Sequence, residues 1–89
     1  MPCRKLTLTN KRGLHARAAT KLVQCCQPFR ARVFVNRGQQ QANANNIMAL
    51  LMLGAPCGTE LEISAEGVDA EAVLEAIEVL FEARFDEDT

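Results

Sequence analysis

The residue with the clearest capacity for chemistry is His15, the only histidine among 89 residues. It follows Gly13, where a polar loop gives way to a sequence with helical periodicity, and so lies close to the expected N-cap of a helix. The first backbone N–H groups of a helix have no internal partner and carry the positive end of its macrodipole. An anion held beside His15 would be stabilised by those donors and by that field.

A neutral imidazole at this position could act as a nucleophile toward phosphorus. The positive field disfavours the imidazolium form, so the ring should keep a free lone pair at neutral pH. Phosphoryl oxygens would then meet the backbone N–H of Ala16 and the forked donors of Arg17. The first 59 residues hold no carboxylate side chain to serve as a base near His15, and attack by neutral imidazole needs none. The alternative is that His15 merely caps the helix on a basic surface.

Charge is divided along the chain. All eleven acidic residues lie at or after Glu60, and nine of the ten basic residues lie at or before Arg37. This division indicates a basic face for an anionic ligand or acidic partner, unless the halves interleave in space and their fields partly cancel. A nucleic-acid-binding module is the rival from another class. Four Phe with no Trp or Tyr supply few stacking surfaces, so we do not expect a nucleic-acid partner.

Length and composition predict a single small domain over residues 1–89, with too little core for a large internal active site. The sequence has no signal-peptide pattern and no apolar run approaching the roughly 20 residues of a membrane span. We therefore expect a cytoplasmic monomer without membrane insertion. The four cysteines then favour free thiols, and their spacing with His15 matches no recognised ligand pattern, so neither a metal nor a cofactor is expected.

Hydrophobic periodicity predicts four strands and three helices in the order βαββαβα. Alternation indicates strands over residues 3–9, 31–36, 39–44 and 59–66, the middle two joined by a turn at 36–38. Helical spacing indicates helices over 16–27, from an Asn cap at 45 or 46 to 53, and from a cap at Asp69 to about 84. This order predicts an α+β open-faced β-sandwich, in which a four-stranded antiparallel sheet carries three helices on one face.

Two of these elements have well-defined expected faces. The strand over 59–66 should point Leu61, Ile63 and Ala65 inward. The last helix should bury one apolar stripe and expose an acidic one. The predicted buried stripe consists of Val73, Ile77, Leu80 and Phe81.

Residues 10–19, which read Asn-Lys-Arg-Gly-Leu-His-Ala-Arg-Ala-Ala, resemble the active-site signature of the HPr phosphocarriers of the phosphotransferase system. The resemblance continues through residues 46–54 and Gly58 to the last helix, and so covers nearly the whole chain. Residues 50–53 and the acidic tail at 84–88 resemble the nitrogen-related branch, NPr, more than sugar-pathway HPr.

The resemblance implies that His15 is phosphorylated on Nδ1 by phosphorylated enzyme I, itself charged from phosphoenolpyruvate, and passes the group to a histidine of an enzyme IIA. It implies a phosphohistidine carrier with transferase-type chemistry rather than a stand-alone enzyme. In the nitrogen branch both partners would be of the nitrogen type and the output regulatory. The alternative is a sugar-pathway HPr that feeds sugar-uptake enzymes II. Arg17 matches the family arginine that steadies the phosphoryl group.

Two positions depart from the family pattern. Ala18 stands where the signature has Pro, which restores an N–H donor and should loosen the start of the helix slightly. Asn46 stands at the position of the serine that a kinase controls in some HPr proteins. Because Asn has no hydroxyl, we expect that form of control to be absent at this position.

The second helix is expected to dock protein partners. It has more apolar residues than its buried side needs, since Leu50 and Leu53 alone would serve the core. The surplus would form an adaptable exposed patch, unless it is simply core. Basic residues of the first loop and helix would steer acidic partners into transient contacts with small interfaces. The predicted partner-binding residues are Lys11, Arg12, Thr20, Lys21, Ile47, Met48, Leu51 and Met52.

Overall fold

The computed structural model describes residues 1–87, whose helices and strands follow the order βαββαβα. The strands are β1 (Cys3–Thr7), β2 (Arg32–Arg37), β3 (Gln40–Asn43) and β4 (Glu60–Glu66). The helices are α1 (Ala16–Cys26), α2 (Ile47–Met52) and α3 (Ala70–Glu82). The limits of these elements lie within two residues of the predicted ones. Asp88, the last residue of the predicted acidic tail, lies outside the described residues.

The four strands form one antiparallel sheet in the order β1-β4-β2-β3. Leu61 faces Leu6 of β1, and Ile63 faces Val35 of β2, so apolar residues of neighbouring strands share one face of the sheet. The predicted inward residues Leu61, Ile63 and Ala65 are fully buried. The helices cover that face, which confirms the predicted open-faced α+β architecture.

The turn between β2 and β3 lies later in the sequence than the predicted turn at residues 36–38. Asn36 and Arg37 belong to β2, where they pair with Gln41 and Gln40. The turn therefore consists of residues 38 and 39. Gly38 has a φ of 59°, which suits the first position of a two-residue hairpin loop.

The start of α3 differs from the prediction in one interaction. Asp69 occupies the N-cap position, but its side chain makes no capping hydrogen bond. Its carboxylate instead accepts a hydrogen bond of 2.7 Å from the backbone N–H of Arg30. Asp69 therefore ties the start of α3 to the segment that precedes β2. The buried stripe also differs, because Leu74 is fully buried while Leu80 is only partly buried.

The end of α3 is the largest departure from the expected backbone. Arg84, Phe85 and Asp86 have φ values of 54°, 54° and 61°, a left-handed conformation that side chains with a Cβ rarely adopt. The helix consequently ends at Glu82 instead of near residue 84, and residues 84–86 form a left-handed turn. Phe85 is fully buried and packs on Phe81 with 5.0 Å between ring centroids. We call residues 84–87 the C-terminal strap.

Candidate functional site

The loop before α1 is fixed by close backbone contacts. Gly13 has a φ of 67°, and a Cβ at this position would lie 2.4 Å from the carbonyl oxygen of Ala55. The amide of Leu14 donates to that same carbonyl at 2.9 Å. The side chain of Asn10 donates to the Gly13 carbonyl at 2.7 Å. Only glycine fits at position 13, and the loop therefore delivers His15 to the start of α1 in one orientation.

His15 is the N-cap residue of α1, with φ −89° and ψ −177°. Its Nδ1 accepts from the backbone N–H of Arg17 at 3.4 Å, and its carbonyl accepts the first helical bond from Ala19. The side chain is 22% exposed. The ring therefore lies beside the first-turn amides, as the sequence predicted, while part of it remains accessible to solvent.

Glu87 contacts the other ring nitrogen of His15. One oxygen of its carboxylate pairs with Nε2, and the other accepts a 3.0 Å hydrogen bond from the side chain of Asn10. The Glu87 side chain is only 10% exposed. Burial would raise the pKa of this carboxyl, but the hydrogen bonds from Asn10 and His15, helped by the charges of His15 and Arg12, hold the pKa below its ordinary value. Glu87 is therefore a carboxylate at neutral pH.

Sequence reasoning missed Glu87. No carboxylate lies near His15 in sequence, yet the C-terminal strap brings one into contact across 72 positions. The only sequence feature that pointed to this region was the acidic tail at 84–88, and its composition does not indicate where the tail lies in the fold.

The strap also reaches a predicted docking residue. The ammonium of Lys21 lies 3.3 Å from the carboxylate of Asp86. Acidic and basic segments that are far apart in sequence therefore meet beside His15, and the positive field of the first loop is partly balanced. This arrangement weakens the nucleic-acid alternative, because the carboxylates of the strap oppose the binding of phosphates by the neighbouring cations.

The remaining polar candidates lie on the outer surface of the loop and of α1. Lys11, Arg12 and Arg17 are exposed. Thr20 is half-buried, and its hydroxyl donates to the carbonyl of Ala16 at 2.8 Å. A shallow groove runs along this side of α1 and is lined by Ala16, Arg17, Thr20, Lys21 and Gln24. The structure thus brings Arg17 to the same end of α1 as His15, with its guanidinium on the solvent side.

Helix α2 is held at both ends. The side chain of Asn46 accepts from the amide of Ala49 at 3.1 Å, which confirms an N-cap at this residue. The guanidinium of Arg37 donates to the carbonyls of Leu53 and Gly54, each at 2.8 Å. These bonds satisfy carbonyls that the helix end leaves open.

The apolar residues of α2 divide into buried and exposed groups. Leu50 and Leu53 are buried, as expected. Ile47 and Leu51 are partly buried against the core. The two methionines, Met48 and Met52, are 67% and 78% exposed. We call these two side chains the methionine patch, and their exposure contradicts the alternative that they are core.

The cysteines lie apart from this constellation. Cys3 and Cys57 are exposed, Cys25 is partly buried and Cys26 is buried, and all four are free thiols. Burial, reinforced by the neighbouring Cys25, raises the pKa of Cys26 to about 12, so this thiol is a poor nucleophile.

Residues 1–87 contain neither a metal-site cluster nor a membrane-spanning helix. This part of the chain contains no cluster of three or more His, Cys, Asp or Glu that could hold a metal ion. Within the same residues, no helix combines the length and the apolar character needed to cross a bilayer.

Comparison with known proteins places this geometry in context. Residues 3–83 match the protein family described as "PTS HPr component phosphorylation site". The chain is 41% identical over 85 residues to the phosphocarrier protein HPr of Xylella fastidiosa, covering 96% of each chain. It is 43% identical over 84 residues to the phosphocarrier protein NPr of Shewanella violacea, covering 94% of this chain and 92% of the relative.

The fold also matches a solved structure over its full length. The crystal structure of an HPr from Thermoanaerobacter tengcongensis superposes with a TM-score of 0.95 at 35% identity, covering 100% of both chains. The expected architecture and the resemblance of residues 10–19 are thus both confirmed by independent comparisons.

Proposed function

The chain belongs to the HPr family of the phosphotransferase system, and from that premise we propose that His15 is its phosphoryl acceptor. As a phosphocarrier of this system, the protein exchanges phosphoryl groups with enzyme I and enzyme IIA proteins. In the proposed reaction, phosphorylated enzyme I donates the group to Nδ1 of His15. A histidine of enzyme IIA then takes it.

The observation that carries the proposal is the difference between the two ring nitrogens. Nε2 is covered by the carboxylate of Glu87, whereas Nδ1 faces the first-turn amide of Arg17. A phosphoryl group on Nδ1 would therefore lie where helix amides can bind its oxygens. This supports Nδ1 as the nucleophile.

The proposed step is a displacement at phosphorus. The lone pair of Nδ1 forms the new N–P bond while the bond between phosphorus and the donor atom of enzyme I breaks, and the donor atom keeps that electron pair. The amides of Ala16 and Arg17 and the exposed Arg17 guanidinium would bind the phosphoryl oxygens. Because Arg17 is exposed, its side chain would be free to turn toward the phosphoryl group.

Docking would use the methionine patch together with the basic loop. Met48 and Met52 are flexible apolar side chains that can fit two different partners. Lys11, Arg12 and Lys21 would attract acidic partner surfaces, and such encounters are fast and transient. Thr20, Ile47 and Leu51 would complete the contact surface at the edges of α1 and α2.

We assign the chain to the nitrogen-type relay in the cytosol, with a regulatory output. The similarity of residues 50–53 and of the acidic tail to the nitrogen branch supports this assignment. The curated relatives carry both HPr and NPr names at similar identities. A sugar-pathway carrier that feeds enzymes II is therefore the second candidate.

One experiment separates these possibilities. The purified chain is mixed with phosphoenolpyruvate and either nitrogen-type or sugar-type enzyme I, and the added phosphoryl mass is followed by mass spectrometry. We expect an acid-labile label that forms faster with the nitrogen-type enzyme and is absent from His15→Ala. Glu75→Gln, an exposed change on α3, is the matched control and should label normally. A label that persists in His15→Ala would disprove the assigned site.

A further inference from the structure

We propose that Glu87 is a positioning residue for His15. Its carboxylate keeps the imidazole proton on Nε2, so that Nδ1 stays unprotonated and keeps its lone pair for the incoming phosphorus. It also balances the positive charge that the ring acquires when the N–P bond forms. This inference rests on the function proposed above for His15.

The contacts of the two ring nitrogens select one tautomer. An ionised carboxylate only accepts hydrogen bonds, so the nitrogen that faces Glu87 must carry the proton. The backbone N–H of Arg17 only donates, so Nδ1 must present its lone pair. Both neighbours of the ring therefore favour the tautomer in which Nε2 is protonated and Nδ1 is nucleophilic.

Glu87 is held in place by contacts on several sides. The side chain of Asn10 bridges the Gly13 carbonyl and the Glu87 carboxylate, at 2.7 Å and 3.0 Å. Asn10 is itself fully buried, so this bridge cannot turn freely toward solvent. Phe85, two residues before Glu87, is fully buried in the core. The carboxylate is thus supported by the same loop that positions His15.

The backbone of the strap points to the same conclusion. Residues 84–86 all have a positive φ although none is glycine. Such residues persist only where the surrounding structure determines their conformation, and they are concentrated at functional sites. Here the left-handed turn reverses the chain after α3 and places Glu87 against His15. A straight continuation of α3 would carry Glu87 away from the first loop.

The charge of Glu87 matters during the reaction. Neutral imidazole that attacks through Nδ1 retains its Nε2 proton and becomes a cationic ring, so no proton has to leave. A carboxylate that contacts Nε2 stabilises this cation, as the third member of a nucleophile–histidine–carboxylate triad does. The other charged groups near the pair are cationic or already paired. Arg12 lowers the pKa of Glu87 through its charge, Arg17 is exposed in the first turn of α1, and Lys21 is paired with Asp86.

The test uses the fact that His15 is the only histidine. Two-bond ¹H–¹⁵N NMR of the full chain with labelled imidazole then reports a single ring and its tautomer. We expect the wild type and Glu87→Gln to keep the proton on Nε2, since the glutamine oxygen still accepts it. We expect Glu87→Ala to lower the share of the Nε2 tautomer, because only the backbone N–H of Arg17 then favours it. The backbone amide spectrum of each sample verifies that the chain is folded.

Phosphoryl transfer from enzyme I to the same variants gives the second readout. Glu87→Ala should react about 10-fold more slowly than the wild type, which is the low end of the loss seen when a carboxylate that orients a metal-binding histidine is removed. Glu87→Gln should be intermediate, because it retains the hydrogen bond and loses the charge. Asp86→Asn is the control for tautomer state, because it removes the neighbouring carboxylate, which contacts Lys21 rather than His15.

The outcomes separate this inference from the proposed function. An unlabelled wild type would disprove phosphorylation at His15 itself. A labelled wild type whose tautomer and transfer rate are unchanged in Glu87→Ala would overturn the positioning role alone. Loss of the Nε2 tautomer in Asp86→Asn would also overturn the positioning role of Glu87. The tautomer would then depend on the total negative charge of the strap rather than on the contact with Glu87.

Discussion

Nε2 of His15 and the side-chain carboxylate of Glu87 are in contact, although 72 positions separate the two residues in sequence. Asn10 joins the same cluster through Glu87 and Gly13. The cluster ties the C-terminal strap to the loop before α1. The stability of the strap and the tautomer of the His15 ring are therefore coupled.

The first prediction concerns acid stability. The pKa of Glu87 is lower in the folded chain than in the unfolded chain, because hydrogen bonds from Asn10 and His15 and the nearby charges outweigh its burial. The contact therefore stabilises the fold above the ordinary glutamate pKa of about 4.3, and the contribution disappears as the pH falls through the folded value. We expect Glu87→Gln to unfold at a lower temperature than the wild type at pH 7. The difference should shrink as the pH falls below the ordinary glutamate pKa.

Thermal unfolding followed by circular dichroism across this pH range measures the effect. Glu75→Gln, on the exposed side of α3, is the control and should leave the profile unchanged. A gap between wild type and Glu87→Gln that stayed constant from pH 7 to pH 3 would contradict the direction of the pKa shift.

The second prediction concerns the anchor of the strap. Phe85 is fully buried and packs on Phe81, so Phe85→Ala should lower the free energy of unfolding by about 3–5 kcal/mol. Phe34→Ala is the control, because Phe34 is only half-buried and should lose about 1 kcal/mol. Urea titration provides both values. Equal losses at the two positions would mean that the strap is not packed as described.

The third prediction concerns the left-handed turn. Arg84 is exposed and has a φ of 54°, which costs a residue with a Cβ about 1–2 kcal/mol. Arg84→Gly removes that strain but adds backbone entropy to the unfolded chain, so we expect a net gain of up to about 1 kcal/mol. A glycine substitution within right-handed helix, Glu75→Gly in α3, should lower the free energy of unfolding by about 1 kcal/mol. Opposite signs in urea titration would support the turn, and losses at both positions would contradict it.

Periodicity was sufficient to predict the fold. The alternation of Leu61, Ile63 and Ala65 identified the central strand, and the spacing of Val73, Ile77 and Phe81 identified the packed face of α3. These signals depend on burial that repeats along one element. Gly13 followed by His15 also indicated the N-cap of α1, because the local chain alone determines an N-cap.

The strap could not be predicted by the same means. Residues 84–86 contain no glycine or asparagine that would indicate a left-handed turn, so the helical pattern appeared to continue. Asp69 likewise has the residue type of a capping side chain. Its carboxylate instead accepts a hydrogen bond from the backbone N–H of Arg30, which is distant in sequence. In both cases a contact between distant segments outweighed the local preference, and sequence spacing carries no record of such contacts.

The fourth prediction tests the backbone contacts that hold the loop before α1. Gly13 and Gly38 both have positive φ, but only Gly13 lies against backbone, with the Ala55 carbonyl 2.4 Å from an added Cβ. Gly38→Ala should therefore cost only the left-handed strain of about 1–2 kcal/mol. Gly13→Ala should lose at least about twice as much stability and also slow the labelling of His15, since the loop must shift. Normal labelling of a folded Gly13→Ala chain would show that the loop does not position the ring.

The last prediction tests the methionine patch. Met52 is 78% exposed on α2, so Met52→Asp should change the free energy of unfolding by no more than about 0.5 kcal/mol. If the patch docks enzyme I, a buried charge at the interface should slow phosphoryl transfer about 10-fold, through KM more than through kcat. Val79→Asp, at a position on α3 that is 61% exposed, is the matched control and should transfer at the wild-type rate. Equal slowing by both variants would indicate a general effect of negative charge, and the docking surface would then have to lie elsewhere.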